Sequence, residues 1–169
     1  MTTITAADFI QSIADALQHI SYYHPLDYIQ ALSAAYDREQ GPAAKDAIAQ
    51  ILTNSRMCAE GHRPICQDTG IVVVFLKVGM NVRWESTMSV QEMVDEGVRR
   101  AYLLPENVLR ASIVADPAFG RKNTRDNTPA VVHTEIVPGD TVEVKLAAKG
   151  GGSENKSKFA MLNPSDSIV

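Results

Sequence analysis

Ile71-Val72-Val73-Val74-Phe75-Leu76-Lys77-Val78 is the stretch on which the fold turns. All of it but Lys77 is apolar and most of it is β-branched, and Gly70 and Gly79 bound it. Such a run reads as a strand buried on both faces. Upstream the period is helical. Thr5 is placed to cap a helix carrying Phe9, Ile10, Ile13, Leu17 and Ile20 on one face. Pro25 fits the first turn of a second helix with Leu26, Ile29 and Leu32. Gly41 closes that helix and Pro42 opens a third, with Ala44, Ala47, Ile48, Ile51 and Leu52, which Gly61 and Pro64 stop. Downstream, Gly79-Met80-Asn81 turns the chain into a short strand at Val82–Trp84. Ser89-Val90-Gln91-Glu92 has the form of a capping box, opening a helix with Met93, Val94, Val98 and Ala101 on one face that ends by Pro105.

Beyond it, Ile113–Val114 reads as a further strand and Asp116–Pro129 as a long polar loop. Val131–Val137 and Val142–Ala148, joined at Pro138-Gly139-Asp140, read as a hairpin. In its second strand Val142, Val144 and Leu146 alternate with Thr141, Glu143 and Lys145, which predicts one wet face. The order of elements predicts an α+β (mixed α/β) fold, an N-terminal helical bundle followed by a mixed β-sheet with helices. We expect a single domain over 1–169, with a helical subregion at 1–60 and a sheet-containing subregion at 65–169.

The 169 residues are enough for one core, and 45% apolar with 21% charged residues is ordinary for a globular protein. A net charge of −4 gives no reason to expect nucleic acid or a membrane surface as partner. The N-terminus carries acidic residues and no basic leader, and the longest apolar run is too short to span a bilayer. The chain's two cysteines, Cys58 and Cys66, therefore point to reduced thiols in the cytoplasm and not to a disulfide.

Two segments carry unusual chemistry. Cys66-Gln67-Asp68-Thr69 sets a thiol, an amide, a carboxylate and a hydroxyl on consecutive positions of a loop held by the strand that follows. Cys66 suits a metal, a cluster or nucleophilic work, and Asp68 suits proton handling or substrate orientation. Asp68-Thr69-Gly70 also fits an ordinary turn. The second segment is Lys149–Ser157, where Gly150, Gly151 and Gly152 let backbone N–H groups converge on an anion. Asn155 stands where a P-loop needs its second glycine, so nucleotide binding is disfavoured. Arg110 lies near an element end, where a guanidinium can clamp a carboxylate or simply meet solvent. Cys58, His62 and Cys66 recur every four residues, which leaves open a non-enzymatic zinc- or anion-binding module.

Cys66-Gln67-Asp68-Thr69-Gly70 taken together with Lys149-Gly150-Gly151-Gly152-Ser153-Glu154-Asn155-Lys156 makes the chain resemble class I fumarases. These are iron–sulfur hydratases unrelated to the all-helical class II enzymes. The chain is similar, more loosely, to the α subunit of tartrate dehydratases. The resemblance covers nearly the whole chain, including Asn107-Val108-Leu109-Arg110 and Asn123–Pro129. It implies reversible hydration of fumarate to L-malate, with tartrate dehydration as the alternative. It also implies a 4Fe–4S cluster held by three cysteines, with Cys66 the first ligand. Gln67, Asp68, Arg110 and the backbone of Gly152 would bind the dicarboxylate substrate, and Asp68 would be catalytic, as an acid or a partner of the departing hydroxyl. The base is expected on a C-terminal domain, or on a separate β subunit. A homodimer is implied for the full-length protein. The other two cluster cysteines are absent from this chain. The resemblance therefore implies the front portion of the N-terminal domain of a longer polypeptide, inactive by itself.

Overall fold

The computed structural model describes residues 2–152 and 158–167. In chain order they form β1 (Thr2–Thr5), α1 (Ala6–Tyr22), α2 (Leu26–Arg38), α3 (Pro42–Gly61), β2 (Ile71–Gly79), β3 (Val82–Glu85), α4 (Val90–Tyr102), β4 (Val114–Ala115), β5 (Lys122–Asn123), β6 (Val131–Val137) and β7 (Val142–Lys149). The fold is mixed α and β, as the order of elements predicts.

The caps lie where the sequence puts them. Thr5 Oγ1 accepts from Asp8 N at 3.1 Å, starting α1. Ser89 and Glu92 exchange the reciprocal bonds of a capping box at the start of α4. α1 sends Phe9, Ile10, Ile13, Ala14 and Leu17 into the core, and α4 meets them with Met93, Val94, Val98, Ala101 and Tyr102. Val72, Val74, Leu76 and Val78 of β2 complete the same cluster. One apolar layer thus forms between the α1–α4 pair and one face of the sheet, and its burial is the main stabilising term. α2 buries no residue and α3 buries only Ser55 and Cys58, so these two helices pack chiefly on each other beside that core.

Two sequence expectations fail here. The first is the hairpin. β6 and β7 do not pair with each other; the strand order is β6-β2-β7, with β2 parallel to β6 and antiparallel to β7. The connection through Pro138, Gly139 and Asp140 crosses the C-terminal end of β2 and is bonded to it there. Gly79 N donates to Thr141 O, Met80 N to Val137 O and Asn81 N to Gly139 O, each at 2.9 Å. Crossing one intervening strand requires about 10 Å, two strand spacings, which four residues can reach. A local pattern of two alternating runs and a turn is identical for an adjacent and a split pair.

The second failed expectation is double-sided burial of β2. Val72, Val74, Leu76 and Val78 are buried, but Phe75 is 48% exposed and stacks on His133 of β6, with ring centroids 5.0 Å apart. Among the described residues, helices cover only one face of this sheet. Two short pairings had no clear local signal. β1 runs parallel to β3, and β4, beside the strand expected at Ile113–Val114, pairs with β5 inside the polar loop that follows. Among the described residues, no helix is long and apolar enough to cross a membrane.

Candidate active site

Gly70 anchors the arrangement. Its φ of 75° is left-handed, and a Cβ there would lie 2.7 Å from Gly150 N and inside contact distance of the Lys149 carbonyl. The loop carrying Cys66 to Thr69 can therefore pass directly beneath the end of β7 before entering β2. This brings the two unusual segments of the sequence together. Asp68 Oδ2 accepts from Gly151 N at 2.7 Å, and Asp68 Oδ1 from Gly70 N at 3.2 Å.

The segment after α4 closes the other side. Thr69 Oγ1 donates to Arg110 O, and the Arg110 guanidinium donates to Gln67 Oε1. Gln67, Asp68, Gly70, Ile71, Arg110, Ser112, Lys149 and Gly151 line one cavity of about 310 Å³. Two cationic side chains and one carboxylate thus border a small polar space, a composition suited to an anionic ligand. Lys149 and Gly151 were not singled out individually by sequence reasoning, although their segment was. Lys149 ends β7 directly opposite Ile71, and Gly151 follows two residues later.

Tyr102 supports the loop from below. Its hydroxyl, at the end of α4, donates to Thr69 O at 2.8 Å and reaches Gly70 O at 3.4 Å. The side chain is buried. Burial pushes its phenol up to about 12; the bond to Thr69 opposes this and the charge of Asp68 adds to it. An unfolded tyrosine titrates near 10. The folded value is raised, so this group's contribution is fully present below pH 10 and is lost as pH rises towards 12. Absorbance titration is expected to show one phenol ionising near pH 12 that is missing in Tyr102→Phe. Denaturation midpoints are expected to fall between pH 10 and 12 more steeply in the parent than in that variant; equal slopes would contradict the assignment.

Cys66 is exposed and lines a neighbouring cavity of about 540 Å³ with Leu17, His24, Asp68, Thr69 and Tyr102. Asp68 therefore borders both spaces. His24 lies below the ordinary imidazole range because it is partly buried, and its Nδ1 pairs with Ser55 Oγ at 3.0 Å. Gly152 is exposed and does not line either cavity. Ser153–Ser157, the rest of the glycine-rich motif, lie outside the described residues.

The spacing of Cys58, His62 and Cys66 does not become a ligand set. Cys58 is buried with its sulfur 3.6 Å from both Asn54 Oδ1 and Pro64 O, and the His62 ring stacks on Tyr22. α3 ends at Gly61, and His62 takes a left-handed φ of 47°, so the helical face that would align the three is broken. Among the described residues, no three His, Cys, Asp or Glu side chains gather as a metal site. A 4Fe–4S cluster needs several thiolates. The sequence has two cysteines, one of them turned into the protein, so the residues present offer a single ligand and do not by themselves fit the cluster.

Residues 10–169 match the sequence profile of the family described as fumarate hydratase (Fumerase). The chain is similar to a protein of Methanocaldococcus jannaschii provisionally named an L(+)-tartrate dehydratase subunit alpha, at 33% identity over 92% of this chain and 55% of that one. It is similar to the anaerobic class I fumarate hydratase of Escherichia coli, at 32% identity over 79% of this chain and 24% of that one. An L(+)-tartrate dehydratase subunit alpha of Escherichia coli is 27% identical over 91% of this chain and 50% of its own length. The chain thus spans about half the length of the tartrate dehydratase subunits it matches, and about a quarter of the fumarate hydratase.

Proposed function

This chain belongs to the fumarate hydratase (Fumerase) family, and from that premise we propose that it supplies the dicarboxylate-binding part of an enzyme that reversibly hydrates fumarate to L-malate. The observation that carries the reading is the shared cavity of Gln67, Asp68, Arg110 and Lys149, floored by Gly151. Arg110 holds one substrate carboxylate through parallel N–H bonds. Gln67, already fixed by Arg110, offers its amide beside it. Asp68 accepts two backbone N–H bonds and keeps lone pairs for the substrate hydroxyl, orienting the group that leaves as water. Gly152, although it lines neither cavity, is the residue the family resemblance assigns to offer a backbone N–H to a substrate oxygen.

Cys66 would serve as one ligand of a 4Fe–4S cluster in the intact protein, and that cluster would supply Lewis acidity to the reaction. This chain's two thiols do not complete the ligand set. The base that takes the proton next to a carboxylate belongs to a C-terminal domain or β subunit. The whole enzyme is a cytoplasmic homodimer, or a heteromer where the parts are separate subunits. A second reading, the α subunit of a tartrate dehydratase, is favoured by the relatives of that name, whose similarity extends over more than nine-tenths of this chain.

The test is steady-state kinetics of the full-length protein with fumarate, L-malate and L(+)-tartrate. The expected outcome is a higher kcat/KM for fumarate and malate than for tartrate. Arg110→Lys is expected to raise KM for the dicarboxylate by about 10- to 100-fold, since a point charge replaces a planar fork. A preference for tartrate selects the second reading, and an unchanged KM in Arg110→Lys removes the dicarboxylate clamp.

A further inference from the structure

Asn127 lies in a polar segment of the sequence, yet it is completely buried, at 0% exposure. Its amide spans the two halves of the candidate site. Nδ2 donates to Gly70 O at 3.0 Å, at the end of the Asp68 loop, and Oδ1 accepts from Ser112 N at 2.8 Å, two residues beyond Arg110. Its φ of 62° is left-handed, a conformation that asparagine tolerates better than most residues.

The segment presenting Asn127 is itself tied to α4. Asp126 pairs with Arg99 at 3.1 Å and accepts from Thr128 N and Oγ1 at 3.1 and 2.8 Å. Burial pushes the Asp126 carboxyl up, but the Thr128 bonds and the Arg99 charge carry it below the usual range. Ala130 N donates to Asp95 Oδ1 at 2.8 Å, and Gln91 Nε2 to Ala130 O at 3.1 Å. Asn127 is therefore held from α4, the core helix whose Tyr102 also bonds the Thr69 and Gly70 carbonyls.

We propose that Asn127 is a positioning residue that sets the separation between Asp68 and Arg110, and so the fit of the site to a dicarboxylate. The proposal rests on the dicarboxylate reading above. Three cross-links join the two halves: Thr69 to Arg110 O, Arg110 to Gln67, and the Asn127 bridge. The first two are made by groups that line the site or its neighbouring cavity, where a ligand competes for them. The third is buried and lines neither cavity, so a ligand in either space does not compete for it.

The experiment uses the full-length protein and the variants Asn127→Asp and Asn127→Ser. Asp keeps the acceptor for Ser112 N–H but turns a buried carboxylate oxygen on Gly70 O in place of the donor, and Ser is the uncharged control that shortens the bridge. KM for fumarate and malate is expected to rise about tenfold, with kcat changing much less. In an Arg110→Lys background the same substitution is expected to add little further, because both act on one clamp. An unchanged KM in Asn127→Asp, a fall in kcat alone, or full additivity with Arg110→Lys overturns the positioning role while leaving the dicarboxylate reading intact. An unchanged KM in Arg110→Lys alone defeats that reading, and the positioning role with it. If neither Asn127 variant folds, the bridge is structural only and the proposal falls.

Discussion

Gly70→Ala is expected to destabilise the protein by about 3–5 kcal/mol, a loss at the upper end for single substitutions. Two costs combine at this position. The left-handed φ of 75° is strained for an L side chain, on the order of 1–2 kcal/mol. The added methyl would also fall on the Lys149 carbonyl and within 2.7 Å of Gly150 N, both backbone and unable to rotate away. Relief requires parting β2 from the end of β7, whose register begins at the pair Ile71–Lys149. The same movement takes Gly151 N–H away from Asp68, so ligand affinity should fall with stability. Urea unfolding of parent and variant measures the first effect. A variant within about 0.5 kcal/mol of the parent, the usual range for neutral surface changes, would show that the strands do not approach as closely as described.

Gly79→Val is the second large effect, expected to cost about 3 kcal/mol or more. The backbone at Gly79 is ordinary, so the reason here is space alone. A Cβ would stand 2.5 Å from Gly139 O, 2.6 Å from its carbonyl carbon and 2.8 Å from Asp140 N. These atoms belong to the connection that crosses β2 and is bonded to Gly79, Met80 and Asn81. Valine would lift that connection and break those bonds, although by propensity alone valine favours a strand over glycine. Circular dichroism melting separates the two expectations: a raised Tm would mean propensity dominates, and a lowered one that the crossing does.

The elements legible in the sequence are those whose cause is local. Thr5, Ser89 with Glu92, and Pro42 mark helix starts by hydrogen bonds or fixed dihedrals within one turn, and α1, α3 and α4 begin there. The inward set of β2 is likewise visible in its apolar run. The split pairing of β6 and β7 was not legible, because nothing within either strand records which strand lies between them. Nor was the wet face of β2, where Val73 and Phe75 are as apolar as Val72 and Val74 but have no helix above them.

The site divides in the same way. Cys66–Gly70 stands out because a cluster of polar groups precedes a buried strand through a glycine. Arg110 stands alone among mostly apolar neighbours and Asn127 among polar ones, and only the folded chain shows one beside Gln67 and the other bonded to Gly70 and Ser112. The glycine-rich segment was marked by composition, but which N–H reaches Asp68 depends on the register of β7, and it is that of Gly151.

The insertion of β2 between two strands that follow one another in sequence gives the unfolded chain a rival. Residues 131–148 can zip locally into a contiguous ribbon within microseconds, whereas the native order must recruit a partner more than fifty residues upstream. Vectorial synthesis favours the native outcome, since the central strand and its two covering helices leave the ribosome before either flanking strand exists. Refolding from denaturant has no such schedule, and there any ribbon that forms would have to reopen before β2 can enter between its strands.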